Sequence, residues 1–212
     1  VADGFRDAAW PELADRLRAF EAASAAGPPP AGEDDPHIAA WYAAYRRFGT
    51  NPRRQRPSVD ALRRRLARDG RLPRINPAVD CYNLISARHG VPAGAFDLRR
   101  VAGDMVVCRA DGSETFTPLG EPGVVEHPNP GEVVYTDHDG VLTRHWNHHD
   151  ADRTKVTADS DQVVFLLETP AATRFGSLLD AASDDLAGLL AGRCRSVACH
   201  RITADRPAAH WA

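Results

Sequence analysis

Residues 144–157, "RHWNHHDADRTKVT", crowd many reactive side chains into one short segment. It holds His145, His148 and His149, Asp150 and Asp152, Asn147, Trp146, Arg153 and Lys155, the only Lys among 26 basic residues. Three readings fit. On a helix, H-x-x-H-H followed by Asp would offer metal ligands, since i and i+3 share a face. Val141, Leu142 and Trp146 favour a strand running into a loop, where His145 and His149 share a side and His148 does not. The helix that makes H-E-x-x-H diagnostic is then missing, so no metal and no cofactor is expected. A histidine would also serve as a general base, its pKa lying near neutrality. The third reading is a surface histidine cluster on a turn. Ser-His-Asp and Cys-His catalysis find no support. There is no G-x-S-x-G, and Cys81, Cys108, Cys194 and Cys199 stand apart without a CxxC pair. The cysteines read as free, mostly buried thiols of a cytoplasmic protein.

The elements that would position this segment follow from periodicity. Residues 7–25, 35–49, 59–70 and 75–90 read as helices. Leu13, Leu17 and Phe20 form the first apolar stripe, and Ile38, Trp41, Tyr42 and Tyr45 the second. Ser58 reads as the third helix's N-cap, Pro77 lies in the fourth helix's first turn, and Gly90 ends it. Short β-rich runs follow between Gly, Pro and Asp turns: 94–103, 104–110, 114–120, 131–137, 140–147 and 162–169. Hairpin turns are expected at 110–113 and 137–140. Residues 171–192 return to helix, and 195–202 read as a last strand. Helices, then strands, then helix and strand argue for an α+β fold, with helices packed on a mainly antiparallel β-sheet. Residues 1–35 read as an N-terminal helix and Pro-rich connector. Residues 36–212 read as one domain, with a basic helical leader over 41–74 and a core over 75–212.

Composition bounds the partners. At 43% hydrophobic and 26% charged, the 212 residues suit a globular domain with its own core. No apolar run approaches a membrane span, and no secretory leader is visible. The net charge of −3 hides an uneven distribution. Between Arg46 and Arg74 eleven Arg face only Asp60 and Asp69, a local balance of +9. Such a block is either the footprint of RNA or a solvated helix face in an Arg-rich chain. Arg53, Arg54, Arg56, Arg63 and Arg64 are the candidate RNA contacts.

The stretch "INPAVDCYNLISARHGVPAGAFDL" carries a resemblance. Val79-Asp80, Asn83, Gly90-Val91-Pro92 and Ala95-Phe96-Asp97 follow in the order seen in the editing module of the bacterial phenylalanyl-tRNA synthetase beta subunit. A second block matches in order: Val156-Thr157, Asp159, Asp161 and "QVVFLLE" ending at Glu168. The resemblance spans roughly residues 72–170. The leader "AYRRFGTNPRRQRPSV" looks like that of small free-standing relatives. One position departs: the family's His before Ala-Phe-Asp is Gly94 here. The departure implies either a different amino-acid specificity or a lapsed hydrolytic function.

The resemblance implies a module that receives the 3′ end of mischarged tRNA and hydrolyses the aminoacyl ester with a positioned water. Such a site must hold the α-amino group, orient water and stabilise an oxyanion. Asp152 falls close to the family's pocket acid and would hold the ammonium. Arg153, Thr154 and Lys155 would meet the ester oxygen or the terminal phosphate. Asp80 and Asn83, three apart on a helix, would floor the pocket, with Asn76 and Asn147 beside it. Trp146 and Tyr82 would stack a base or fill the core. Two other classes stand beside the deacylase: a non-catalytic module that binds tRNA or an amino acid, and a metal-dependent hydrolase built on the histidines. DNA and membrane are not expected partners.

Overall fold

The computed structural model describes residues 1–5 and 9–210. Its helices are α1 (Pro11–Ala26), α2 (Pro36–Arg47), α3 (Ser58–Asp69), α4 (Pro77–His89) and α5 (Ala172–Ala191). Its strands are β1 (Ala2–Asp3), β2 (Ala93–Asp97), β3 (Val106–Arg109), β4 (Val133–Asp137), β5 (Gly140–Arg144), β6 (His149–Asp150), β7 (Gln162–Leu167) and β8 (Ser196–Val197). The fold is α+β with antiparallel pairing throughout the described strands. Two four-stranded sheets form, ordered β2-β7-β1-β8 and β3-β4-β5-β6.

Helix boundaries follow local chemistry. Asp35 caps α2 by accepting from the His37 and Ile38 amides at 2.7 and 3.0 Å. Asn76 caps α4 by accepting from the Val79 amide at 3.0 Å. Gly90, with φ +73°, takes the left-handed conformation that ends α4. Ser58 does not cap α3: Pro57 holds the N-cap position, and the Ser58 hydroxyl is buried without a partner. Of the helix expected over 7–25, Asp7 and Ala8 lie outside the described residues; the rest is α1, which starts at Pro11.

The main core gathers Leu13 and Leu17 of α1, Leu84 and Ile85 of α4 and Leu186 and Leu189 of α5 beside Ala95 and Val163 of the first sheet. Phe5 and Trp10 join it, so the N-terminal segment packs on the rest of the chain. Several strand expectations change. Run 114–120 makes only single bridges, Phe116 to Glu126 and Pro118 to Ala151. The 110–113 turn therefore opens a long excursion, not a tight hairpin. The 137–140 turn does close a hairpin, with Asp137 opposite Gly140. Only Ser196–Val197 of the run 195–202 is a strand.

Candidate functional site

The side chains that converge most tightly do so on Glu168, the residue after β7. Its Oε1 accepts from the Tyr135 hydroxyl at 2.5 Å and the Trp146 indole N–H at 2.7 Å. Its Oε2 accepts from Asn147 Nδ2 at 3.1 Å. Register explains the meeting. Tyr135 lies opposite Thr143, and Thr143 opposite Asp150, so the three form one row across β4, β5 and β6. Paired residues share a face of the sheet. On the facing sheet Gly94 pairs with Leu166, and Glu168 lies two residues on, at the same side-chain phase. Asp150 accepts from the Thr143 hydroxyl at 2.8 Å. Tyr82 of α4 lies near Phe165, their ring centroids 6.5 Å apart. Gly94, Tyr135, Trp146, Asn147, Asp150 and Glu168 are all half-buried, and this neighbourhood of Glu168 is the candidate recess. A Cβ built on Gly94 meets nothing within 4 Å.

Burial pushes the Glu168 carboxyl up to about 7, against the pull of its three donors. Burial also raises Asp150. The two carboxylates repel each other, and among the described residues neither has an ion-pair partner. The Tyr135 phenol is held well above its ordinary range by burial, so it stays a donor.

Helix α2 braces this arrangement with one stripe. His37, Trp41 and Tyr45 sit at i, i+4 and i+8, on one face. His37 donates from Nδ1 to the Gly90 carbonyl at 2.8 Å and accepts at Nε2 from the Thr169 hydroxyl at 3.0 Å. Burial lowers its pKa, which suits this neutral role. Trp41 meets Trp146 edge-on, centroids 5.0 Å apart. Tyr45 donates to Asn147 Oδ1 at 2.8 Å. The turn that delivers Trp146 and Asn147 is left-handed at two residues, His145 (φ +48°) and Trp146 (φ +68°). Bulky side chains rarely adopt such φ, and the surroundings must hold them there. The Glu132 carboxylate does so by accepting from the His145 amide at 3.0 Å and gripping Arg144 through two nitrogens. The Val133 carbonyl takes the Trp146 amide at 2.6 Å.

The expected site residues divide into groups. Trp146, Asn147 and Gly94 belong to the recess. Asn76 is spent on capping and on donating to the Val156 carbonyl at 3.1 Å. Asp80 accepts from the Ile75 amide at 2.8 Å, and Asn83 is half-buried on α4. Asp152 pairs with Lys155 at 2.7 Å and accepts from the Gly120 amide at 2.9 Å. Arg153 pairs with Asp137 and reaches the Arg100 carbonyl. Thr154 is fully buried with an unpartnered hydroxyl. Among the described residues no hydrogen bond or ion pair joins the 152–155 set to Glu168. The histidines diverge. His145 Nδ1 lies 2.9 Å from Thr50 Oγ1, and burial drives its pKa down to about 4. His148 donates to the Arg56 carbonyl, and His149 faces the Phe116 ring. Among the described residues no group of three or more His, Cys, Asp or Glu could hold a metal ion.

Comparison with known proteins places the chain. Residues 40–176 match the model of the B3/4 domain, a span that begins inside α2 and includes the whole recess. The chain belongs to the B3/4 domain family. An N-terminal fragment of the phenylalanyl-tRNA synthetase beta subunit from Pyrococcus horikoshii is similar at 17% identity and a TM-score of 0.46. The match covers 57% of this chain and 42% of the fragment, so the chain spans less than half of that structure. No curated protein matches.

The basic block of this B3/4 domain is smaller than its sequence suggests. Arg63 is buried, hydrogen-bonded to the Ala87 and Pro30 carbonyls and paired with Asp35 at 2.7 Å, so it is not available to a phosphate. Arg56 and Arg64 both pair with Asp60. Arg46 pairs with Glu33 and Arg74 with Glu21, while Arg65 and Arg68 share Asp69. Among the described residues only Arg47, Arg53, Arg54 and Arg71 of the eleven lack an ion pair. Three of these lie at or just beyond the end of α2. There a cavity of about 520 Å³ is lined by Arg46, Gly49, Thr50, Asn51, Pro52 and Arg53.

Proposed function

We propose that this B3/4 domain is a free-standing, trans-acting deacylase of mischarged aminoacyl-tRNA whose preferred aminoacyl group carries a second positive charge. The observation that carries this reading is the pair of half-buried carboxylates, Asp150 and Glu168, which lie within electrostatic reach of each other and among the described residues have no ion-pair partner. Burying two like charges is unfavourable until a cation enters. An aminoacyl ester brings its α-ammonium to Asp150, and a basic side chain lies against the aromatic rings within electrostatic reach of Glu168 without taking its open Oε2 position. Tyr135 and Trp146 present aromatic surface that favours cations. Gly94 leaves the length such a side chain needs.

The chemistry is ester hydrolysis. A water adds to the ester carbonyl carbon, and Glu168 takes its proton. The bond to the ribose oxygen then breaks, and the proton passes to that oxygen. The products are a free amino acid and an uncharged tRNA. A carboxylate offers about four acceptor positions. Three of Glu168's are filled, and one on Oε2 remains for the water. A base with a pKa of about 7 is poised for proton transfer at neutral pH. The ammonium role expected of Asp152 passes to Asp150, because Asp152 already neutralises Lys155.

The test is single-turnover deacylation of a panel of tRNAs charged with basic, neutral and acidic amino acids. Fastest release from the basic members supports the reading. Equal release from neutral ones would overturn the charge preference. Binding without release would make the protein a non-catalytic module.

A further inference from the structure

We propose that Tyr45 of α2 is a positioning residue that acts on Glu168 through Asn147, by pinning the Asn147 amide so that its Nδ2 stays on the carboxylate. The inference rests on the role proposed above for Glu168. An Asn amide has a donor end and an acceptor end that occupy the same space and differ only by a half-turn. Toward a carboxylate the donor end is favourable and the acceptor end repulsive. The ionised carboxylate, which only accepts, selects the donor end, and Tyr45 holds the acceptor end in place. Its hydroxyl donates to Asn147 Oδ1 at 2.8 Å, which leaves Nδ2 to donate to Glu168 Oε2 at 3.1 Å. Tyr45 is fully buried, and burial holds its phenol well above the ordinary range, so the hydroxyl keeps its proton and can donate to Oδ1. The Asn147 carbonyl accepts the Ser58 amide at 3.1 Å, so its backbone is fixed independently.

The groups facing Glu168 are few. Tyr135 comes from β4, and Trp146 and Asn147 from the turn. Asp150 comes from β6, and Tyr45 lies within electrostatic reach from α2. His37, from the same face of α2, is neutral and holds the neighbouring Thr169. Tyr45 makes no hydrogen bond to Glu168 itself but bonds the Asn147 amide, so its influence on the carboxylate runs through that amide. Removing its hydroxyl leaves Asn147 Oδ1 without its anchor and frees the amide to drift from the carboxylate. The ionised form of Glu168 then has a weaker donor, and its titration moves to higher pH.

Tyr45→Phe keeps the ring packed against Trp41 and Phe48 and deletes only the hydroxyl. The side-chain carboxyl of Glu168 is titrated by NMR in the ligand-free protein, with Glu168→Gln assigning the signal. The expected result is a midpoint about one pH unit higher in Tyr45→Phe, the size of one lost hydrogen bond to a charged group. The acid limb of the deacylation profile should move with it. In an Asn147→Ala background, Tyr45→Phe should add nothing. An unmoved midpoint in Tyr45→Phe, or an equal rise with and without Asn147, would overturn the proposal. The titration needs no substrate. If the midpoint moves as expected and no tRNA is deacylated, the functional reading fails and the positioning role of Tyr45 stands.

Discussion

Glu168 carries opposite demands, and both can be measured. As a base it must be ionised, so the deacylation rate should climb about tenfold per pH unit below 7 and level off above it. Glu168→Gln should slow single-turnover release by roughly 10²–10⁴-fold. A rate within threefold of the parent would remove Glu168 from the chemistry. For stability the sign is reversed. The fold raises this carboxyl above its ordinary value, so it favours the protonated form. That contribution is complete below the ordinary carboxyl range and is lost as pH rises through about 7. The melting temperature of the parent should therefore fall from pH 5 to pH 8 by more than that of Glu168→Gln. Gly94 makes a separate prediction. Its φ is ordinary and a Cβ there meets open space, so Gly94→Leu should fold normally. The added side chain would occupy the recess and raise KM, with the melting temperature unchanged.

The left-handed turn at His145 and Trp146 is what converts a strand end into a site. Trp146 is held by the Trp41 ring and by Val133 and Phe48, the apolar cluster at the end of α2. Trp41→Ala removes the largest fully buried side chain. It should destabilise the protein by about 3–5 kcal/mol in denaturant titration and loosen the Glu168 clamp with it. The elements behind this were unevenly legible. The helices α2 and α4 announce themselves through Asp35-Pro36, Asn76-Pro77 and Gly90, which act locally. The strands β1 and β8 are two residues long, and no periodicity can show in two residues. Run 114–120 has strand composition but finds only single-bridge partners, which local sequence does not record. Trp146, Asn147 and Gly94 are legible as candidate site residues from their types and from the resemblance. Glu168 was visible only as the acid closing an apolar run. Tyr135 and Asp150 depend on the register of three strands, and Tyr45 on which side of α2 meets the turn. None of these is a property of neighbouring residues.

At the scale of the whole molecule, the apparent +9 block resolves into structure and surface. Its balance counted only Asp60 and Asp69, whereas Glu21, Glu33 and Asp35 fold in from the preceding segment and neutralise Arg74, Arg46 and Arg63. What remains unpaired near the recess is Arg47, Arg53 and Arg54. The loop that bears the last two is tied to the turn by the Thr50–His145 contact, by His148 on the Arg56 carbonyl and by the Ser58 amide on the Asn147 carbonyl. An RNA backbone lying on this loop would thus lie beside the residues that clamp Glu168. Two classes of Arg then separate in one experiment. Replacing Arg47, Arg53 and Arg54 by Gln should weaken tRNA binding and reduce the slope of log affinity against log salt by nearly one per lost phosphate contact, leaving the melting temperature unchanged. Arg63→Gln should do the reverse. It leaves Asp35 without its buried partner and should cost about 3 kcal/mol of stability, with the salt slope intact in the folded fraction. Equal salt slopes in the parent and the triple variant would mean that the RNA, if bound, lies on another face.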